Sequence, residues 1–150
     1  MALQWPFAAA SVVGVACSLP ATAASKRLVP AGRAEFRKLV DDYQIFTVPH
    51  CAPATVAAYK SARAARDAVF VASLKGTPLF SDYRKAVADR ARKDRKTFYE
   101  CVQPPPPPGF TADDAVRKQR EDRDQHFVDG DKQFAKIVAL RDKLLAAPGD

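Results

Sequence analysis

The stretch Val48-Pro49-His50-Cys51-Ala52-Pro53 sets a thiol beside an imidazole between two prolines. A thiol at the start of a helix is acidified by the free backbone amides there and becomes a better nucleophile, and an adjacent imidazole can add to that effect. Against a reactive centre, no C-x-x-C redox pair accompanies Cys51. A metal site needs several ligands converging. The chain offers His50, His126 and dispersed carboxylates, with no H-x-x-x-H, H-E-x-x-H or paired-cysteine spacing. Asp122, Asp124, Asp129 and Asp131 are acidic enough for calcium, but Arg123 interrupts them and their spacing is not that of an EF-hand loop; they read as a solvated helix face. There is no C-x-x-C-H for covalent haem, no G-x-S-x-G and no glycine-rich phosphate loop. The expectation is a non-catalytic protein without metal or cofactor, in which Cys51 is structural.

A second group of residues carries charge rather than reactivity. Arg84, Lys85, Arg92, Lys93, Arg95 and Lys96 form the candidate partner-binding set, with Arg90 among them and Asp89 and Asp94 diluting the field. The plainer reading is the solvated outer side of a helix, which must be polar in any case. The chain has 150 residues and a net charge of +7, with the excess concentrated in the middle of the sequence and the last quarter balanced. Such a protein is drawn to anionic partners: acidic envelope polymers, lipid headgroups or acidic proteins.

Export follows from the first residues. Met1 to Ser25 contains no charged side chain, and Leu3 to Leu19 is mostly apolar before Pro20-Ala21-Thr22-Ala23-Ala24. An apolar run, a helix breaker and small residues in an A-x-A arrangement read as a secretory signal over residues 1–24, with an uncleaved anchor as the alternative because the basic n-region is missing. Cys17 reads as a small apolar residue discarded with that leader. A periplasmic or secreted location is expected, which disfavours nucleic acid as a partner, and residues 25–150 form one domain with no membrane span.

The rest of the chain has helical period. Phe36, Leu39, Val40, Tyr43 and Phe46 mark one face of a first helix from about Ala31 to Thr47, stopped by Pro49. A second helix begins near Cys51 or Ala52 and ends at Lys75 before Gly76. Its polar groups gather at Lys60, Arg63, Arg66 and Asp67, so the alanine-rich remainder predicts the most buried helix of the domain. Thr77 caps a third helix that starts at Pro78 and reaches about Val102, with Phe80, Tyr83, Val87, Ala91, Phe98 and Cys101 on its inner side. Asp94 falls on that stripe, either paired with a neighbour's arginine or shifted to the boundary. Residues 103–110 hold five consecutive prolines, a stiff strut of roughly 15 Å at ~3.1 Å per residue; a ligand for a proline-binding module is the alternative. Thr111-Ala112-Asp113-Asp114 opens the last helix as a capping box, and Gly130 predicts a kink or a break in it.

The hairpin of the second and third helices turns at Gly76-Thr77, and equal rise on both arms brings Cys51 level with Cys101. Cys51, Ala58, Ala65 and Ala72 share one face of the first arm, and Phe80, Val87, Asp94 and Cys101 one face of the second, as a packed seam requires. In an exported chain two such cysteines predict a disulfide.

The fold class is therefore all-α: a small antiparallel bundle of about four helices with one disulfide-stapled hairpin. For function, the leading expectation is a non-catalytic exported interaction or structural protein that binds a protein or anionic envelope component, with self-association left open. An ATP-independent chaperone or stress-type binding protein and a small-ligand or cofactor-binding bundle are the alternatives. An exposed apolar patch or cradle would favour the former, and a closed apolar pocket lined by Tyr59, Phe70, Tyr83 or Phe98 the latter.

Overall fold

Four α-helices build the protein in the computed structural model, which describes residues 28–48, 52–96 and 105–147: α1 Pro30–Tyr43, α2 Pro53–Leu74, α3 Pro78–Lys96 and α4 Ala112–Ala146. The leader segment, His50, Cys51, Phe98, Cys101 and the side chains of Arg95 and Lys96 lie outside the described residues. Among the described residues there is no strand, and no helix is long and apolar enough to cross a membrane.

Local chemistry sets most helix ends. Pro30, Pro53 and Pro78 each occupy a first helical position, where the missing N–H costs no hydrogen bond. Gly76 takes φ +80° between α2 and α3, a backbone conformation that other residues adopt only with strain. Thr77 has a different role from the expected cap: its hydroxyl donates to the Leu74 carbonyl at 2.7 Å, closing off the end of α2. At the head of α4 the Thr111 hydroxyl accepts from the Asp114 amide at 3.1 Å while the Asp114 carboxylate accepts from the Thr111 amide at 3.0 Å, the expected capping box. The first helix is shorter than its periodicity suggests, because Gln44–Phe46 tighten into a 3-10 turn.

Contacts between side chains give the topology. Arg33 and Arg37 reach Asp82, and Asp41 reaches Arg90 and Lys93, so α1 and α3 run parallel. The Gln133 amide donates to the Leu39 carbonyl while Leu144 lies at Gly32, so α4 runs antiparallel to α1. Tyr59 meets Phe127 and Phe70 meets Phe134, which sets α2 parallel to α4. The order is up-down-up-down. One core runs through it: Phe36, Val40 and Tyr43 of α1, Tyr59, Phe70 and Leu74 of α2, Leu79 and Ala86 of α3, and Ile137 and Leu144 of α4.

Three expectations are overturned. The second helix is not the most buried: Ala57, Ala58, Ala62, Ala65, Ala68 and Ala72 are exposed and Val69 stands 71% exposed. The physical reason is that Arg63, Arg66 and Asp67 turn inward to meet partners on α4 and α1, so the helix is oriented by its charges and shows its alanines to solvent. The alanine seam fails with it, since Ala58, Ala65 and Ala72 do not face α3. The arms do come level where they meet, at Phe70 and Tyr83, with ring centroids 6.1 Å apart, and farther along the end of α1 contacts both, Tyr43 bonding to Asp67 of α2 and Asp41 pairing with Arg90 of α3.

Gly130, thirdly, does not break α4, which is one helix of 35 residues. A methyl group there would sit 2.6 Å from Cζ of Tyr59 and 2.7 Å from its hydroxyl oxygen. The glycine lets the ring lie directly on the helix backbone, and that close approach offsets its poor helix propensity.

Candidate functional site

The described members of the basic set lie on the outer side of α3. Arg84, Lys85 and Arg92 are exposed, Arg84 and Lys85 as chain neighbours and Arg92 about two turns beyond them, with Ala88 between. Arg92 pairs with Asp89 on its own helix, and Lys93, also exposed, reaches Asp41 of α1 at 3.3 Å. Arg84 stands over the Phe80 ring, 5.9 Å from its centroid. Neither Arg84 nor Lys85 has an acidic partner among the described residues, so theirs is the charge on this face that is not balanced by a neighbouring acid there. Arg90 belongs to the interior instead: it ties Asp41 of α1 to Asp94, and this accounts for the aspartate on the inner stripe by a partner on its own helix.

Periodicity did not reveal two polar clusters. In the first, Asp82 is almost wholly buried between α1 and α3, its side chain 4% exposed. Arg33 donates to it from Nε at 2.6 Å and Nη2 at 3.1 Å, and Arg37 from Nη1 at 2.8 Å. Burial alone would raise its pKa, but the two guanidinium groups outweigh that and hold the carboxyl below its usual range.

The second cluster joins three helices around Arg66. Its Nε donates to Asp67 at 3.1 Å, Nη1 to Asp131 at 2.6 Å, and Nη2 to both tyrosine oxygens, 2.9 Å to Tyr43 and 3.1 Å to Tyr59. The guanidinium carbon stands 3.8 Å from the centre of the Phe134 ring, a close cation–π contact. Asp131 also takes a bidentate pair from Arg63, at 2.9 and 2.6 Å, and a bond from the Tyr59 hydroxyl at 3.2 Å. The Tyr43 hydroxyl donates to Asp67 at 2.6 Å. Arg63 and then Arg66 hold the Asp131 carboxyl well below the usual carboxylate range against the opposing effect of burial. Burial, reinforced by Asp67, pushes the Tyr43 phenol up, so it stays protonated as the donor. Every strong donor here meets an acceptor. The cluster is therefore a fastening for α1, α2 and α4 rather than a poised acid or base.

The other carboxylates of the stretch read as a solvated helix face are each engaged by a neighbour on α4. Asp122 accepts from Lys118, Asp124 from Arg123 and Asp129 from Gln125. The His126 ring packs on Phe46 and Tyr59, with centroids 4.9 and 5.5 Å away; its Nε2 is shielded and makes no hydrogen bond among the described residues. Of the rings that would line a ligand pocket, Tyr59 packs on Phe127, and Phe70 packs on Phe134 and Tyr83.

Two open grooves mark the described surface. One lies between α1 and α3, and its charges are mutually satisfied: Lys38 with Asp42, Asp41 with Lys93, Asp89 with Arg92. The other lies between the start of α2 and the outlying half of α4, where Arg120 has no partner among the described residues. Comparison of the chain with protein-family models, with curated proteins and with solved structures found no match.

Proposed function

We propose that the protein is a non-catalytic, exported helical interaction protein that engages an anionic partner in the cell envelope through the outer face of α3. The observation that carries this reading is the pair Arg84 and Lys85, exposed side by side without an acidic partner among the described residues. Elsewhere arginines are spent on internal bonds: Arg33 and Arg37 on Asp82, Arg63 and Arg66 on Asp131. Arg92 and Lys93 add to the potential of the face, although each already has an acid beside it, and Arg95 and Lys96 continue the same run in sequence. A cationic strip of this kind steers anionic partners and weakens with salt over a Debye length of about 8 Å at physiological ionic strength.

A disulfide between Cys51 and Cys101 is part of the same proposal, because export supplies the oxidising compartment. It rests on the equal lengths of chain from the Gly76-Thr77 turn to each cysteine, and no longer on a shared alanine seam.

Affinity capture of the tagged mature protein from its native envelope, beside the variant R84E/K85E, tests the reading. One stoichiometric partner is expected with the wild type, its recovery falling at least tenfold in the variant and in high salt, while both proteins melt at the same temperature. Equal recovery by the variant would overturn it. A broad set of unfolded clients, insensitive to the charge reversal, would do so in favour of a chaperone.

A further inference from the structure

Taken as the binding surface proposed above, the outer face of α3 fits one kind of anion better than others. Its exposed residues, among those described, are Ser81, Arg84, Lys85, Ala88, Arg92 and Lys93: four cations and two small side chains. By helical spacing all but Lys93 fall on one side, and Lys93 turns towards α1 to meet Asp41. The acids of α3 are set aside from that strip. Asp82 is buried against Arg33 and Arg37, Asp94 pairs with Arg90, and Asp89 pairs with Arg92 at the edge. At Asp82 one carboxylate meets two guanidinium groups, so the α1 edge of the face keeps an excess of positive charge as well.

The uncharged part of the face is as informative. None of the exposed large hydrophobic side chains among the described residues lies on α3. A helix that lies in a bilayer surface needs an apolar side to bury among the acyl chains, and a specific protein interface needs aromatic or aliphatic anchors near its centre; this face has neither. It has no exposed ring on which a nucleobase would stack, and Ser81 is its one uncharged polar side chain, too little to fix the hydroxyls of a sugar chain. What remains for it to recognise is charge repeated along a line. Arg84, Ala88 and Arg92 step by four, so cations stand at both ends of a run of about 12 Å, at ~1.5 Å per residue, with only a methyl group between them. The Arg84 guanidinium is backed by the Phe80 ring, 5.9 Å from its centroid, and the planar fork of such a group meets phosphate oxygens in pairs.

We propose that the outer face of α3 binds a flexible linear polymer carrying phosphate groups along its backbone, laid along the helix from Arg84 and Lys85 to Arg92. Successive phosphates meet the Arg84 and Lys85 pair and then Arg92, and Ala88 lets the chain between them lie close to the helix. Lys93, beside Asp41 at 3.3 Å, adds to the potential at the edge.

Isothermal titration calorimetry on the mature protein, with long-chain inorganic polyphosphate as the probe, is the test. Affinity counted per phosphate is expected to be at least tenfold above that of pyrophosphate, because one chain engages several cations, and to fall steeply with salt as counterions are released. Ala88→Glu places a carboxylate one turn from both Arg84 and Arg92, where it pairs with them on the helix surface, and should weaken binding tenfold or more. Ala65→Glu makes the same change of net charge on the exposed side of α2 and should alter the affinity less than twofold, both variants melting as the wild type does. An equal loss in Ala65→Glu, or pyrophosphate binding as tightly as the polymer, would overturn the proposal. Tighter binding of polygalacturonate at equal charge, or of phosphatidylglycerol vesicles, would overturn it in favour of an acidic glycan or a membrane. Absence of polyphosphate binding, beside an envelope partner that R84E/K85E no longer captures, would remove this inference alone and leave the α3 face as the binding surface.

Discussion

Asp131 is one carboxylate with four hydrogen bonds, two from Arg63, one from Arg66 and one from Tyr59. Its side chain is 38% exposed and that of Arg66 30%, so its loss should cost less than the 3–5 kcal/mol typical of a fully buried pair and more than a surface bridge. Asp131→Asn is expected to lower stability by about 2 kcal/mol at pH 7, read as a shift of the urea midpoint at constant slope. The pH dependence has a definite sign. The carboxyl is held below its unfolded value of about 3.9, so its contribution is complete above that value and is lost as pH falls below it towards the folded pKa. The gap between wild type and Asp131→Asn should therefore narrow between pH 5 and pH 2, and a constant gap would exclude the ion pairs as its source. The sequence shows that Arg63, Arg66 and Asp67 share a face, but spacing gives only relative position around a helix. Whether that face meets water or an aspartate 65 residues away depends on tertiary contacts, which is why the cluster was not legible. Asp82 was hidden for the same reason: its partners are Arg33 and Arg37, on another helix.

At the scale of an element, the ends of helices were readable and their orientations less so. Pro30, Pro53, Pro78, Gly76 and the Thr111-Asp114 box act on the few residues around them, and local chemistry decides them. Gly130 looked like the same kind of signal, yet its reason lies across the interface in Tyr59. Two effects compete in Gly130→Ala. Alanine favours the helix by up to about 1 kcal/mol, but its methyl would collide with the phenol ring, and overpacking of this kind costs about 1–3 kcal/mol. The wild-type background should lose about 1 kcal/mol net. In a Tyr59→Ala background the collision is gone and the same substitution should stabilise, so a double-mutant cycle isolates the contact. A Gly130→Ala protein more stable than wild type would show that the ring yields easily.

For the whole molecule, the all-helical class, the number of helices and the single core followed from period and composition, since no segment alternates as a strand would. The facing of α2 did not. Alanine is compatible with both interior and surface, so a helix with eight alanines between Pro53 and Leu74 carries little information about which side is in, and the half-buried guanidiniums decided it. The proposed Cys51–Cys101 bond would close a ring containing both α2 and α3, worth about 4 kcal/mol in the chain-entropy account. A non-reduced peptide map of the exported protein should show the two cysteine peptides joined, and free alkylation of both thiols without reductant would remove the staple.

Because α4 passes Gly130 without interruption, it also has a mechanical character. At ~1.5 Å per residue its 35 residues form a rod about 52 Å long, gripped by the core over its second half and standing outside it over the first. A pull on the Thr111 end has no hinge in which to dissipate. The first interhelical contacts to bear that load are those of His126 and Phe127 with Phe46 and the ring of Tyr59, then the bonds of Asp131, so the tie between α2 and α4 sets how far the outlying arm can swing.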